Sequence, residues 1–210
     1  MYNKARIGAE RNEMNPEILE RFELVQKFRR SEEYGSMQTE VDVLSALINN
    51  DGSPEARGVL GRMYYEVAMS HVQRRDFEAA YASAKQAAKE VLRTNDQILR
   101  LQLEVMRGGL IFPGQGKGRD GIRILRSVYV ATIESPSRGP EDDAVLTHVE
   151  RDCLVYLIAL GTEHDEAVAD VEDWLAALKV NPAFSDKLSA GSEEAVAIVA
   201  AAQEYIDLRK

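Results

Sequence analysis

The glycine-rich segment Gly114-Gln115-Gly116-Lys117-Gly118 contains the residue types of a phosphate-binding loop. Glycines expose backbone N–H groups, and a lysine can neutralise phosphate charge. However, no Ser or Thr follows Lys117, no first glycine stands at the required spacing, and the preceding residues have a helical rather than a strand pattern. We therefore interpret this segment as a loop between two helices.

The three histidines do not form a metal-binding pattern. His71, His148 and His164 are too far apart for any two to share one helical face at metal-ligand spacing. His71 lies on an apolar stripe, which is typical of a hydrogen-bonded core histidine. His148 can face Asp152 one helical turn later, and such a pair usually stabilises a helix surface. The sequence predicts no metal site.

Cys153 is the one cysteine of the chain, so no internal disulfide can form. Its spacing from Val149, Tyr156 and Leu157 places it on an apolar stripe, which favours a buried, inert thiol over a nucleophile. No paired carboxylates, Ser-His-Asp set or cofactor fingerprint stands out. We therefore expect no catalytic residue and no cofactor, and the absence of disulfides favours a cytoplasmic location.

The charge of the chain argues against nucleic-acid binding. Lys and Arg total 26 and Asp and Glu total 35, which gives a net charge of -9 and a pI near 5.0. Such a surface repels a phosphate backbone over most of its area. No run of apolar residues approaches the length of a membrane span, so we expect no direct membrane span.

The charge is also unevenly distributed. From Glu134 onwards the chain has 17 acidic and 6 basic residues, a net charge of -11. A central set of cations, with few acids between its members, could receive an acidic peptide or the acidic end of a second copy. A protein or peptide partner is therefore expected, with a homodimer as one form. This central set comprises Arg93, Arg100, Arg107, Lys117, Arg119, Arg123 and Arg126.

Helix start signals recur along the whole chain. Asn15-Pro16-Glu17 and Ser53-Pro54-Glu55 each combine a capping side chain, a proline and an acid. Apolar residues at three- and four-residue spacing follow each signal. Tyr34-Gly35 is predicted to end the first helix, because glycine accepts the backbone of a helix terminus.

The starts at Pro16, Pro54, Asp96 and Pro140 lie roughly forty residues apart, as in stacked helical hairpins. The sequence therefore predicts an all-α fold of stacked antiparallel hairpins, with a C-terminal capping helix after Ser192. Residues 15–210 are expected to form one domain. Residues 1–14 are expected to form an N-terminal arm with too few apolar residues to order itself.

Residues 64–92 resemble a tetratricopeptide repeat. The resemblance is carried by Tyr64, Val67-Ala68, the turn Arg75-Asp76-Phe77, Ala80 and Ala87. It implies a TPR-like superhelix in which the first helix of each hairpin lines a concave groove. Transferring the groove positions of the family gives Arg62, Tyr65, Met69, Val72 and Gln73.

A second, more distant similarity covers residues 121–182. It is carried by Gly121-Ile122-Arg123-Ile124-Leu125, by Arg151-Asp152-Cys153-Leu154-Val155-Tyr156-Leu157 and by Asn181-Pro182. These segments look like the paired repeats of the mitochondrial fission 1 family. That resemblance implies an adaptor on the cytosolic face of mitochondria.

The leading functional prediction is a non-enzymatic adaptor that binds a partner segment in the groove. Tyr65, Met69 and Val72 would supply apolar contacts, while Arg100 and Arg107 would supply charge complementarity. One alternative is a mitochondrial or organelle fission adaptor lacking its tail anchor. Another is a ligand-sensing helical domain or enzyme that uses the interior near His71.

Overall fold

The computed structural model describes residues 16–48, 52–94, 96–135, 139–164 and 168–209. Across these residues the regular structure is helical, and they contain no strand, which confirms the all-α class. The chain divides into two compact units, residues 1–103 and 104–210. The predicted arm 1–14 lies outside the described residues, and the single repeat domain with its stacked hairpins stays a prediction.

Unit 1 begins with four helices that follow the predicted start signals. They are α1 (Pro16–Arg30), α2 (Tyr34–Ile48), α3 (Pro54–Gln73) and α4 (Phe77–Val91). The Ser53 hydroxyl caps α3 by accepting a hydrogen bond from the Ala56 N–H, and Asp76 caps α4 through the Ala79 N–H. Helix α5 (Gln97–Met106) then runs from unit 1 into unit 2.

The core of unit 1 lies between α1, α2 and α3. Its members are apolar and almost fully buried: Phe22, Val25, Met37, Val41, Leu44, Ile48, Ala56, Val59, Leu60, Met63 and Val67. Helix α4 packs on α3 through buried Ala80, Ala84 and Ala87. These small side chains allow a close helix–helix approach, as their spacing in the sequence indicates.

Three ion pairs connect α3 to its neighbours. Arg29 of α1 pairs with Glu66, and Arg57 pairs with Glu90 of α4 at 2.9 Å between Nη1 and Oε2. The guanidinium of Arg62 lies 2.7 Å from Oδ2 of Asp96, just before α5. Since the Glu66 and Glu90 side chains are each only 9% exposed, these carboxylates depend on their arginine partners.

Unit 2 starts with a π-helical turn (Arg107–Ile111), followed by a short helical turn (Phe112–Gly114). The helices are α6 (Gly118–Ile133), α7 (Pro140–His164), α8 (Val168–Val180), α9 (Pro182–Ser189) and α10 (Glu193–Asp207). Helix α7 contacts all four of the others and also the π-helical turn. It is therefore the central element of this unit.

Glycines bring the π-helical turn close to α6 and α7. A Cβ atom on Gly121 of α6 would overlap the carbonyl oxygen of Gly108, and one on Gly109 would overlap the ring of Tyr156. Side chains at these positions would push the helices apart. The glycines therefore fix how closely α6 and α7 approach the turn.

Three helix boundaries differ from the sequence predictions. Tyr34-Gly35 begins α2 and does not end α1, because Glu32 adopts the left-handed backbone (φ 60°) at the turn. The predicted loop at residues 114–118 is shorter than expected, because helical turns include Gly114 and α6 begins at Gly118, and Gly116 (φ 74°) lies in the break between them. Helix α9 was not predicted. It starts where the Asn181 side chain accepts a hydrogen bond from the Ala183 N–H.

Candidate partner-binding surface

Tyr65, Met69 and Val72 form a strip along one side of α3, which we call the α3 strip. Their spacing of four and three residues places them in one row on the helix surface. All three are half-buried, whereas Leu60 and Met63 on the opposite side are almost fully buried in the core. The strip is thus an apolar row that retains partial exposure.

Arg62 and Gln73 mark the two ends of the α3 strip. The Arg62 guanidinium is paired with Asp96, whose other oxygen accepts a hydrogen bond from the Leu99 N–H at the start of α5. Arg62 therefore helps to hold the start of α5 against α3. Gln73, at the last residue of the helix, is exposed.

His71 lies near the C-terminal end of α3, one turn after the core residue Val67. Its Nδ1 is 2.7 Å from the Arg74 guanidinium and 3.7 Å from the Asp76 carboxylate. Arg74 also stacks over the Tyr34 ring, with its guanidinium carbon 4.6 Å from the ring centroid. Burial, followed by the Arg74 charge, lowers the pKa of His71, although Asp76 opposes this shift. The neutral imidazole therefore accepts a hydrogen bond from Arg74.

The two predicted charge-complementing arginines lie in different units. Arg100 is exposed on α5 in unit 1. Arg107 lies in the π-helical turn of unit 2, with its Nη1 2.6 Å from Oε1 of Glu104. The guanidinium carbon of Arg107 also lies 5.5 Å from the centroid of the Phe112 ring.

Several members of the central set of cations have carboxylate partners within the chain. Arg93 lies 3.7 Å from Glu90, and Arg123 lies 3.2 Å from Asp120. Arg126 donates two hydrogen bonds to Asp170, at 2.9 and 2.6 Å. These pairs reduce the positive field that the sequence count of this region indicates.

Unit 2 contains a shallow, open cleft between α7, α9 and α10. Phe184, Ala195 and Ile198 contribute its apolar lining, and Arg151 contributes a charged edge. Arg151 pairs with Asp152 at 2.6 Å and with Glu194 at 2.7 Å, so two carboxylates more than compensate its charge. No local sequence pattern predicts this cleft, because its lining residues come from three helices.

His148 contacts the backbone of its own helix, whereas the sequence predicts a contact with Asp152. Its Nδ1 lies 2.6 Å from the Ala144 carbonyl oxygen one turn earlier in α7, while the Asp152 carboxylate accepts two hydrogen bonds from Arg151. The guanidinium is permanently charged and forked, so it competes effectively for the carboxylate. His148 also lines the cleft.

A partly buried polar cluster connects α7 to the α8–α9 junction. Asn181 donates a hydrogen bond from Nδ2 to Glu150 at 3.0 Å, and its Oδ1 is 3.3 Å from the Thr147 hydroxyl. Burial raises the pKa of Glu150, and the hydrogen bond from Asn181 opposes the rise. The cluster therefore holds a carboxyl group whose ionised form is disfavoured.

Cys153 and Tyr129 lie near this polar cluster. Cys153 is fully buried, as predicted, and burial with nearby carboxylates raises the pKa of its thiol. Burial likewise raises the pKa of Tyr129, whose ring stacks on Trp174 with centroids 4.1 Å apart. Both groups stay protonated near neutral pH, so their contribution here is packing.

The described residues offer neither a cluster of metal-ligating side chains nor a membrane-spanning helix. In the described ranges, no three His, Cys, Asp or Glu side chains come together in a way that could hold a metal ion. Within the same ranges, no helix has both the length and the apolar run needed to cross a membrane. Comparison of the chain with protein-family models, with curated proteins and with solved structures found no match.

Proposed function

We propose that the protein is a non-enzymatic adaptor that binds a segment of a partner protein along the α3 strip. The observation that carries this proposal is the row of half-buried Tyr65, Met69 and Val72, which lies on the side of α3 away from Leu60 and Met63 and next to buried Ala68. A helix that only covers a core usually presents polar residues on its outer side. An apolar row there is suited to contact with another protein segment.

The residue types of the α3 strip also suit protein recognition. Tyrosine offers a rigid apolar ring with a polar end, and methionine adapts to irregular surfaces. The core beneath them fixes the backbone of α3, so little order has to be created when a partner binds. Anchors of this kind supply most of the affinity of small interfaces.

The polar residues of the predicted site divide into two groups. Arg62 already has an ion-pair partner in Asp96, and Arg107 has one in Glu104. We propose that these two arginines act mainly by holding the helices in place. Exposed Gln73 and Arg100 remain the polar groups of unit 1 that we propose to contact the partner.

The test compares partner capture by three forms of the full chain. The parent, Tyr65→Ala/Met69→Ala and the control Tyr81→Ala are immobilised and exposed to lysate from the source cells. Tyr81 is half-buried on the neighbouring helix α4 and is not a member of the strip, so its removal matches the loss of an aromatic group. Circular dichroism establishes that each form is folded. Alanine favours helix, so helical content should be kept.

A protein captured by the parent and by Tyr81→Ala, but lost with Tyr65→Ala/Met69→Ala, is the expected result. Equal capture by all three forms, or no specific capture by any, contradicts the proposal. Loss of helical content in the double variant would show that Tyr65 and Met69 belong to the core.

The other functional expectations stay predictions. A cytoplasmic location is proposed together with the adaptor function, and the fission adaptor and the ligand-sensing domain or enzyme are its alternatives. Self-association of the chain is a separate proposal, since it uses helix faces outside the α3 strip.

A further inference from the structure

The outer side of α4 presents three exposed cations and one exposed leucine, which together we call the α4 face. It consists of Lys85, Lys89, Leu92 and Arg93, at relative positions 0, 4, 7 and 8, so they lie on one side of the helix and its C-terminal end. Arg93 has a partner in Glu90 at 3.7 Å, whereas the two lysines have none among the described residues. Leu92 is 72% exposed in the middle of this charge.

The outer side of α10 presents the opposite charge, and we call it the α10 face. It consists of Glu193, Val196, Ala200, Glu204, Asp207 and Leu208, all exposed. Among the described residues Glu193 and Glu204 have no partner, and Asp207 accepts a hydrogen bond only from the neutral amide of Gln203. Val196 is 49% exposed and Leu208 is 73% exposed.

The two faces are complementary in both charge and apolar content. Each combines several charges of one sign with a large exposed apolar side chain, Leu92 on α4 and Val196 on α10, and the described residues leave both faces uncovered. An exposed apolar side chain next to several charges of one sign favours a partner that covers it and neutralises the charge. Every copy of the chain carries both faces.

The faces also match in length. Leu92 and Lys85 are seven residues apart on α4, or about 10 Å along a helix, and Val196 and Glu204 are eight apart on α10, or about 12 Å. When the two helices run antiparallel with Leu92 on Val196, Lys85 therefore lies across from Glu204. The same alignment brings Arg93 near Glu193.

We propose that the α4 face of one copy docks on the α10 face of another copy. The contact is heterologous, since different surfaces meet, so it produces either a closed ring or a chain of copies. It involves one helix from each copy, which makes it a small interface with weak, salt-dependent affinity. The proposal is independent of the α3 strip.

Sedimentation equilibrium of the full chain tests the proposal directly. The parent should self-associate at protein concentrations up to about 0.5 mM and an ionic strength of about 20 mM, with an association constant at least about tenfold lower at 300 mM. A parent that stays monomeric under the low-salt condition overturns the proposal. That result would leave an acidic segment of another protein as the occupant of the α4 face.

Charge reversal identifies the surfaces involved. The variants Lys85→Glu/Lys89→Glu and Glu204→Lys/Asp207→Lys should each be monomeric alone, because like charges then meet. Mixing the two variants should restore association, since the reversed α4 face of one meets the reversed α10 face of the other and their two unchanged faces also remain complementary. Restoration also shows that both variants are folded.

The control Lys179→Glu/Lys187→Glu has the same change in net charge as the α4 variant, at two exposed lysines of α8 and α9. It should associate like the parent. Failure of the mixture to associate overturns the proposal. Association that persists in either reversed variant alone also overturns it, and so does an equal loss of association in the control. Partner capture at the α3 strip is measured separately, so either proposal can fail alone.

Discussion

At the scale of single residues, the ion pair between Arg29 and Glu66 shows how burial determines the effect of a substitution. The Glu66 side chain is 9% exposed and that of Arg29 is 30% exposed. Removing the arginine leaves a carboxylate that water hardly reaches, whereas removing the carboxylate leaves a cation that water can still hydrate.

We therefore expect Arg29→Met to destabilise the protein by about 2–4 kcal/mol and Glu66→Gln by about 1 kcal/mol. The double variant Arg29→Met/Glu66→Leu should lie closer to the parent than Arg29→Met does, because no buried charge remains. Urea unfolding followed by circular dichroism measures all three. An equal loss from Arg29→Met and Glu66→Gln would contradict the argument from burial.

A second residue-scale prediction concerns Glu150. Its pKa is raised in the folded protein, mainly by burial. The folded state therefore binds this proton more tightly than the unfolded state does. The stability that Glu150 contributes is fully present at a pH below its ordinary pKa of 4.5. This stability is lost as the pH rises through the pKa that Glu150 has in the folded protein.

Glu150→Gln should accordingly be more stable than the parent at pH 7, because no charge is buried and the amide oxygen can still accept the hydrogen bond from Asn181. The difference should disappear as the pH falls below 4.5. Thermal unfolding from pH 3.5 to 7.5 measures it, with the exposed Glu204→Gln as control. A difference that does not change with pH would show that Glu150 is not the titrating group.

At the scale of elements, glycines decide how closely the helices of unit 2 approach. A Cβ on Gly121 would collide with the backbone carbonyl of Gly108, which cannot rotate away. We expect Gly121→Ala to cost about 1–3 kcal/mol, because α6 must move from the π-helical turn. Thermal unfolding measures this loss.

Gly58 provides the matched control within a helix. The nearest atom to a Cβ at Gly58 is Cγ2 of Thr94, at 4.0 Å. Gly58→Ala should therefore stabilise the protein by about 0.5–1 kcal/mol, since alanine favours helix and nothing has to move. Stabilisation by both substitutions would mean that the approach of Gly121 to Gly108 is not tight.

At the scale of the whole molecule, the negative charge is concentrated in unit 2. Residues 104–210 include 19 acidic and 11 basic residues, a net charge of -8, and residues 1–103 have a net charge of -1. Repulsion among like charges destabilises a compact unit, and salt screens it. The two units should therefore respond differently to ionic strength.

Raising the ionic strength from about 20 to 300 mM should increase amide hydrogen-exchange protection more in α7 than in α3. Hydrogen exchange read by mass spectrometry resolves peptides from the two helices in the same sample. Working at low protein concentration keeps self-association out of the comparison. Equal gains in both helices would show that unit 2 is not under charge repulsion.

The sequence by itself determined the helical class and many helix starts. Pro16, Pro54 and Pro140 are each the first residue of a helix, because capping residues, proline and apolar spacing act within one or two turns of chain. The buried position of Cys153 and the small-residue contact of α4 follow from the same local spacing.

The tertiary structure alone decided which polar groups meet. Thr147 and Asn181 are 34 residues apart and Arg29 and Glu66 are 37 apart, and no local periodicity links such positions. The exposure of Leu92 and Leu208 likewise depends on which helices cover them. Local spacing fixes the face on which a residue lies, whereas its partner is fixed only when distant helices pack.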